Sequence, residues 1–116
     1  MLKQLLGKFA ENRADSLLTA AGLRILQRNY RCRQGEIDLI AQDGDTLVFV
    51  EVRSRSRPDY GSAAESITST KQRRIIAAAR HYLASLPRTP ACRFDAVTLD
   101  AGGEPVWIKS AFEDVG

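Results

Sequence analysis

Between Leu5 and Ala21 the apolar residues Leu5, Leu6, Phe9, Ala10, Ala14, Leu17, Leu18 and Ala21 recur at spacings of three and four, and Gly22 stands where such a run would close. This is the period of an amphipathic helix. Leu23, Ile25 and Leu26 then lead a short extended run, interrupted by Arg33-Gln34-Gly35, and a second strand is expected over about Glu36 to Gln42. Asp43-Gly44-Asp45 is a turn signal, and Thr46 to Val52 is rich in β-branched and aromatic residues, so a hairpin is expected to join the second and third strands. Ser54 to Ser62, with Pro58, Asp59, Tyr60 and Gly61, reads as a polar loop close to the end of the third strand. Ser69 with Gln72 resembles a capping box, and Ile75, Ile76, Ala79, Tyr82, Leu83 and Leu86 follow at helical spacing until Pro87, which predicts a second helix over about Thr70 to Leu86. Arg93 to Leu99 and Val106 to Ile108, separated by Ala101-Gly102-Gly103, read as two more strands. The order α-β-β-β-α-β-β predicts an α/β fold, a mixed β-sheet of about five strands with flanking helices.

A chain of 116 residues with 44% hydrophobic composition suits one domain that can bury an ordinary core without help from disulfides or metals. No apolar stretch approaches the roughly 18 to 20 residues that span a bilayer, and Met1-Leu2-Lys3-Gln4 lacks the apolar run of a signal peptide. A soluble, cytoplasmic protein with no membrane partner is therefore expected. Cys32 and Cys92 have neither the spacing nor the histidine partners of a zinc site, His81 being the only histidine, and read as free buried thiols. The formal charge of +3 permits a polyanionic partner without demanding one. The basic residues fall in groups: Arg28, Arg31 and Arg33 before one strand, Arg53, Arg55 and Arg57 after another, and Arg73 and Arg74 in a helix. Such runs also form ordinary solvated faces.

Two acids change the picture. The third strand is a near-continuous apolar run, the mark of burial on both faces, yet Glu51 sits in it between Val50 and Val52. In the second strand Asp38 is flanked by Ile37 and Leu39. Regular alternation puts Glu36, Asp38 and Ile40 on one face of their strand, and Leu47, Phe49, Glu51 and Arg53 on one face of theirs. A two-residue loop of Gly44-Asp45, or a loop of Asp43 to Thr46, sets Asp38 opposite Glu51; a loop of Asp43-Gly44 instead sets Glu36 there and keeps all three acids on one face. A three-residue loop without a bulge separates them. With an even loop, two carboxylates stand about 5 Å apart between β-carbons and repel unless something positive lies between them. Mg²⁺ is suited to that place, since it takes one or two carboxylates and leaves positions for water and phosphate oxygens. The structural alternative is an ion network in which Arg53 or neighbouring arginines pair with the two acids.

Asp38, with Glu51 and basic Arg53 on the next strand, resembles the PD-(D/E)xK nuclease signature. More specific is the arrangement of Gly7, Glu11 and Ala14, Arg28-Asn29 with Arg31, GEIDLIA from Gly35, VFVEVR from Val48, Gly61, Lys71, Arg74, Ala78, Tyr82-Leu83, and RFD from Arg93. Together these are similar to the YraN family of small bacterial proteins over nearly the whole chain. The resemblance implies a restriction-endonuclease-like core over residues 1–116, similar to archaeal Holliday junction resolvases. It implies Mg²⁺ or Mn²⁺ held by Asp38, Glu51 and the Val52 carbonyl, and hydrolysis of phosphodiester bonds in nucleic acid, DNA rather than RNA and branched DNA in particular. It also implies a homodimer by analogy. Glu11 corresponds to a helix acid that completes some such sites, although its place on the polar side of the first helix predicts exposure; Glu36 is a further candidate oxygen.

The departure is Arg53 where the signature has lysine. Arginine keeps the charge and can clamp phosphate oxygens, but its pKa above about 12 bars it from acting as a general base. Lys71, one helical turn before Ile75, is expected on the sheet-facing side of its helix, where it supplies a cation or simply extends over the core edge. Arg31, Arg33, Arg55, Arg57, Arg73 and Arg74 are the candidate phosphate contacts. Tyr60, Trp107 and His81 could stack on bases but more commonly pack, and Asp95 beside Phe94 has no evident partner in sequence. The competing functions are an Mg²⁺-dependent endonuclease with Asp38, Glu51, Arg53 and Lys71 in catalytic roles, a catalytically degenerate nucleic-acid-binding domain, and a protein-binding scaffold.

Overall fold

The hairpin predicted around Gly44 sets the register of the sheet. In a computed structural model, which describes residues 2–54, 67–99 and 104–114 and the side chains among them from residue 7 on, β2 (Gly35–Asp43) and β3 (Thr46–Ser54) pair antiparallel from Asp43↔Thr46 to Leu39↔Val50. The loop is Gly44-Asp45, with Gly44 at φ +58°, as suits glycine at the first central position of a two-residue hairpin loop. β1 (Arg24–Cys32) lies antiparallel on the other side of β2. The chain then crosses by α2 (Ser69–Leu83) to β4 (Ala91–Leu99), which runs parallel to β3, and β5 (Pro105–Phe112) closes the far edge antiparallel to β4. With α1 (Leu2–Ala20) this makes an α/β protein with one mixed sheet in the order β1-β2-β3-β4-β5.

Alternation along β3 divides the core. Val48 and Val50 join Leu39, Ala41, Val97 and Leu99 against Ala10, Ala14 and Leu18 of α1. Leu47 and Phe49 join Ile40, Phe94, Ala96 and Phe112 against Ile75, Ala78 and Ala79 of α2. Both faces of β3 are thus buried, as its apolar run predicts.

Several boundaries differ from the sequence expectation. β1 and β5 are longer than their apolar cores because strand pairing recruits polar neighbours. α2 is capped by Thr68, whose hydroxyl accepts from the Lys71 N–H at 3.2 Å, and not by Ser69. The helix ends at Leu83, and Leu86 packs beyond it on the same cluster. The thiols are free, but Cys32 is half-buried and Cys92 exposed, so neither is a core residue. The loop expected over Ser54 to Ser62 lies, beyond Ser54, outside the described residues. Among the described residues no helix is long and apolar enough to cross a membrane.

One irregularity breaks the expected alternation in β2. Leu39 and Ala41 pack on the α1 side, but Ile37 packs on the α2 side and Gly35 lies so close to α2 that a Cβ would stand 2.6 Å from the Arg74 carbonyl oxygen. The swap is mirrored in β1, where Arg28 reaches Glu11, Asp15 and Asn12 of α1 while Tyr30 meets His81 and Tyr82 of α2. Between them the pairing runs Arg28↔Leu39, then Tyr30↔Ile37, omitting the step of Asn29 and Asp38. Asn29 has φ +55°. One residue outside the extended region removes one alternation step, so the tip of the β1–β2 ribbon turns over toward α2. Glu36, Asp38 and Ile40 therefore do not form the regular row that alternation predicts.

Register also shifts between Ile25 and Gln27 in the β1–β2 pairing and between Phe94 and Ala96 in the β4–β5 pairing, the latter with an acid at its centre. Asp95 is fully buried and accepts from Arg93 Nε at 2.9 Å and Nη2 at 3.1 Å, from Trp107 Nε1 at 2.9 Å, and from the Ser110 N–H at 2.9 Å. Arg93 continues to Asp43 at 3.0 Å. This ties β5 to β4 and to the β2–β3 hairpin, and makes Asp95 and Trp107 structural. Replacing Asp95 by alanine strands Arg93 and the indole N–H, and urea unfolding is expected to show a loss of about 3 kcal/mol.

Candidate functional site

The β2–β3 ladder stops at Leu39↔Val50, although β3 continues alongside β4 through Ser54. A gap therefore opens between β2 and β3. Asp38 occupies it: its Oδ2 accepts from the Val52 backbone N–H at 2.8 Å, taking the place of a strand carbonyl. Glu51, the residue before Val52, projects to the α2 side with Phe49 and Leu47 and is only 5% exposed. The two-residue loop thus brings Asp38 and Glu51 together, as the even-loop arithmetic predicts.

Glu51 is held in conflict. Burial, then the hydrogen bond and charge of the adjacent Asp38 carboxyl, push its pKa up to about 8, while Lys71 and Arg53 pull it back. Its Oε2 is buried and makes no hydrogen bond among the described residues, the nearest cation being Lys71 Nζ at 3.5 Å, an ion-pair distance beyond ordinary hydrogen-bond length. Thr68 caps the turn that carries Lys71, and Ile75 one turn on is buried, so this helix face points at the sheet. Lys71 therefore approaches the carboxylates from the helix, while Arg53, on the same face of β3 as Glu51, acts on it more weakly.

Glu11 and Glu36 are not brought into this pair. Glu11 is half-buried, contrary to the exposure expected, and meets Arg28 at 3.7 Å; Glu36 is exposed and pairs with Arg31 at 3.2 Å. Among the described residues no three acidic, histidine or cysteine side chains gather as a metal cluster. The oxygen donors at the site are the Asp38 and Glu51 carboxylates. A residue in a strand also points its N–H and C=O to the same edge, so the Val52 carbonyl opens toward the gap that its N–H faces.

Of the candidate phosphate contacts, Arg31, Arg33, Arg73 and Arg74 are exposed, and Arg55 and Arg57 lie outside the described residues, as does Tyr60. Gly35 packs on the Arg74 backbone, so the Arg33-Gln34 turn sits beside the arginine-bearing part of α2. His81 is bound to the Tyr30 hydroxyl through Nδ1, and Trp107 to Asp95 with Lys109 over its ring. Asn29, opposite Asp38, enters the sequence reading only within the Arg28-Asn29 part of the family arrangement; the signal for its left-handed conformation is that asparagine tolerates it.

The fold and the site together define an α/β protein with two adjacent carboxylates and an approaching lysine at a break in its sheet. Comparison with known proteins supplies a family. The chain belongs to the uncharacterised protein family UPF0102, whose model matches residues 10–99, in keeping with the YraN resemblance. It is 53% identical over 115 residues to a UPF0102 protein of Nitrosospira multiformis, covering 97% of each chain. It is 56% identical over 106 residues to one of Dechloromonas aromatica, covering 91% of this chain and 87% of the relative.

The raised Glu51 pKa has a consequence for stability. An unfolded Glu51 titrates near 4.5 and the folded one near 8, so between these values the folded state binds more protons. Stability from this group is therefore full below about 4.5 and is lost as pH rises through about 8. Urea unfolding at intervals from pH 5 to pH 9 is expected to show a decline of a few kcal/mol relative to Glu51→Gln, which lacks the titration.

Proposed function

We propose that this protein hydrolyses phosphodiester bonds in nucleic acid, DNA in preference to RNA, using Mg²⁺ or Mn²⁺ held by Asp38, Glu51 and the Val52 carbonyl. The observation that carries the reading is the buried Oε2 of Glu51, without a hydrogen bond among the described residues, beside the Asp38 carboxyl, an arrangement that costs stability and that a divalent cation would relieve. The donor set is all hard oxygen, which suits these cations over zinc or copper. When bound, such a cation lowers the pKa of water and neutralises charge on a phosphate. The protein's own part is to hold both carboxylates on paired strands, to keep the Val52 N–H on Asp38, and to present a fixed positive charge where phosphate charge develops.

Lys71 is the better placed cation for that last role, since it already stands 3.5 Å from Glu51 Oε2. Arg53, in the position of the signature's lysine, would clamp phosphate oxygens, and the exposed Arg31, Arg33, Arg73 and Arg74 would track the backbone. One feature favours a second reading, a module that binds nucleic acid without cutting it: arginine replaces the signature lysine next to the carboxylates.

Incubation with duplex, single-stranded and branched DNA and with RNA, with and without Mg²⁺ or Mn²⁺, separates the two. Metal-dependent cleavage is expected, reduced at least about a hundredfold by Asp38→Ala or Glu51→Gln. Lys71→Ala is expected to lower the rate by about 10²-fold while Arg53→Lys preserves it. Salt-sensitive binding without cleavage under either metal would establish the module instead, and failure to bind any nucleic acid would dismiss both readings.

A further inference from the structure

Asp38 is placed by the backbone of the neighbouring strand. It is the one residue of β2 with no partner in either flanking strand: the β1 pairing passes from Leu39 to Ile37, and the β3 pairing ends at Leu39. Opposite it stands Asn29, at φ +55°. On one side of this step Arg28 and Leu39 face α1; on the other Tyr30 and Ile37 face α2. The turned-over tip is anchored on α2 by Gly35 against the Arg74 carbonyl and by the Tyr30 hydroxyl on His81. Asp38 sits at the pivot, with its carboxylate aimed into the gap at the Val52 N–H.

We propose that Asn29 is a positioning residue for Asp38, its left-handed conformation releasing β2 from regular pairing at this step so that the Asp38 carboxylate reaches the Val52 N–H. Were Asn29 extended, alternation would run unbroken through β2 and through β1 from Gln27 onward, past the irregularity between Ile25 and Gln27. Ile37 would then turn to the α1 side with Leu39, and the ladder would have no reason to open at Asp38. The chemistry selects the residue type. Asparagine and glycine adopt the left-handed region readily, alanine at some cost, and β-branched residues only under strain. Residues that orient a metal ligand characteristically alter metal affinity when changed, without contacting the metal themselves.

The ligand role of Asp38 rests on the function proposed above, so the test has one readout for position and another for binding. Amide hydrogen exchange at Val52 reports the Asp38 hydrogen bond directly, and calorimetric titration with Mn²⁺ alone reports the site. In the full-length chain Asn29→Gly is expected to keep Val52 protected and to hold Mn²⁺ affinity within about threefold of wild type, because glycine retains the backbone. Asn29→Val is expected to speed Val52 exchange about tenfold or more and to weaken Mn²⁺ about 10- to 100-fold, with Val97 exchange in the central sheet unchanged. Should the valine variant fail to fold, Asn29→Ala is expected to fall between the two in both measurements. Unchanged Val52 exchange in the valine variant, or in alanine where valine does not fold, would overturn the proposal, as would equal loss in the glycine and valine variants. If wild type binds no Mn²⁺ while valine still exposes Val52, the positioning role stands and the metal reading falls.

Discussion

Everything about this site follows from one constraint: a carboxylate in the middle of a buried strand. β3 is covered by α1 on one face and α2 on the other, so Glu51 cannot reach bulk water as a surface acid would. Desolvation alone disfavours its charge, and the Asp38 carboxyl beside it disfavours it further. Lys71 offsets part of this from α2, at a separation too long for an ordinary hydrogen bond. The result is a carboxyl whose Oε2 has no hydrogen-bond partner among the described residues, set next to a second carboxyl, where the other buried side-chain polar atoms of the described residues are satisfied.

The contrast with Asp95 shows what a purely structural buried acid looks like in the same sheet. Asp95 is at least as buried, yet a guanidinium, an indole and a backbone N–H meet its two oxygens. Arg93 is bound so firmly between Asp95 and Asp43 that its pKa rises, chiefly through the hydrogen bond to Asp95. Both acids interrupt apolar runs in sequence; Asp95 lies at an irregularity in the β4–β5 pairing, and Glu51 stands just past the end of the β2–β3 ladder. Satisfaction separates them, and it depends on what the neighbouring elements bring within reach.

Lys71 and Arg53 make a similar pair. In sequence Arg53 is the evident cation, two residues from Glu51 and fixed on its face by alternation. In space the helix lysine comes closer, because the Thr68 cap sets the rotation of the first turn of α2 and the buried Ile75 holds it. A crossover connection thus delivers a residue distant in sequence to a position that the strand motif leaves to arginine.

The sequence by itself determined the element order, the buried character of β3, and the meeting of Asp38 with Glu51. These depend on short-range rules: helical and strand periods, turn chemistry, and the parity of a two-residue loop. It did not determine the ends of β1 and β5, which cross-strand hydrogen bonds extend past their apolar residues, nor the pairing of Glu11 with Arg28 and Glu36 with Arg31. Nor could it locate the step at Asn29 and Asp38, since asparagine is compatible with both extended and left-handed backbone and only the packing of Tyr30 and Gly35 on α2 selects the latter. Alternation foretold which acids could meet; the tertiary structure decided which remain unsatisfied, because partners for a buried charge come from elements far apart in the chain.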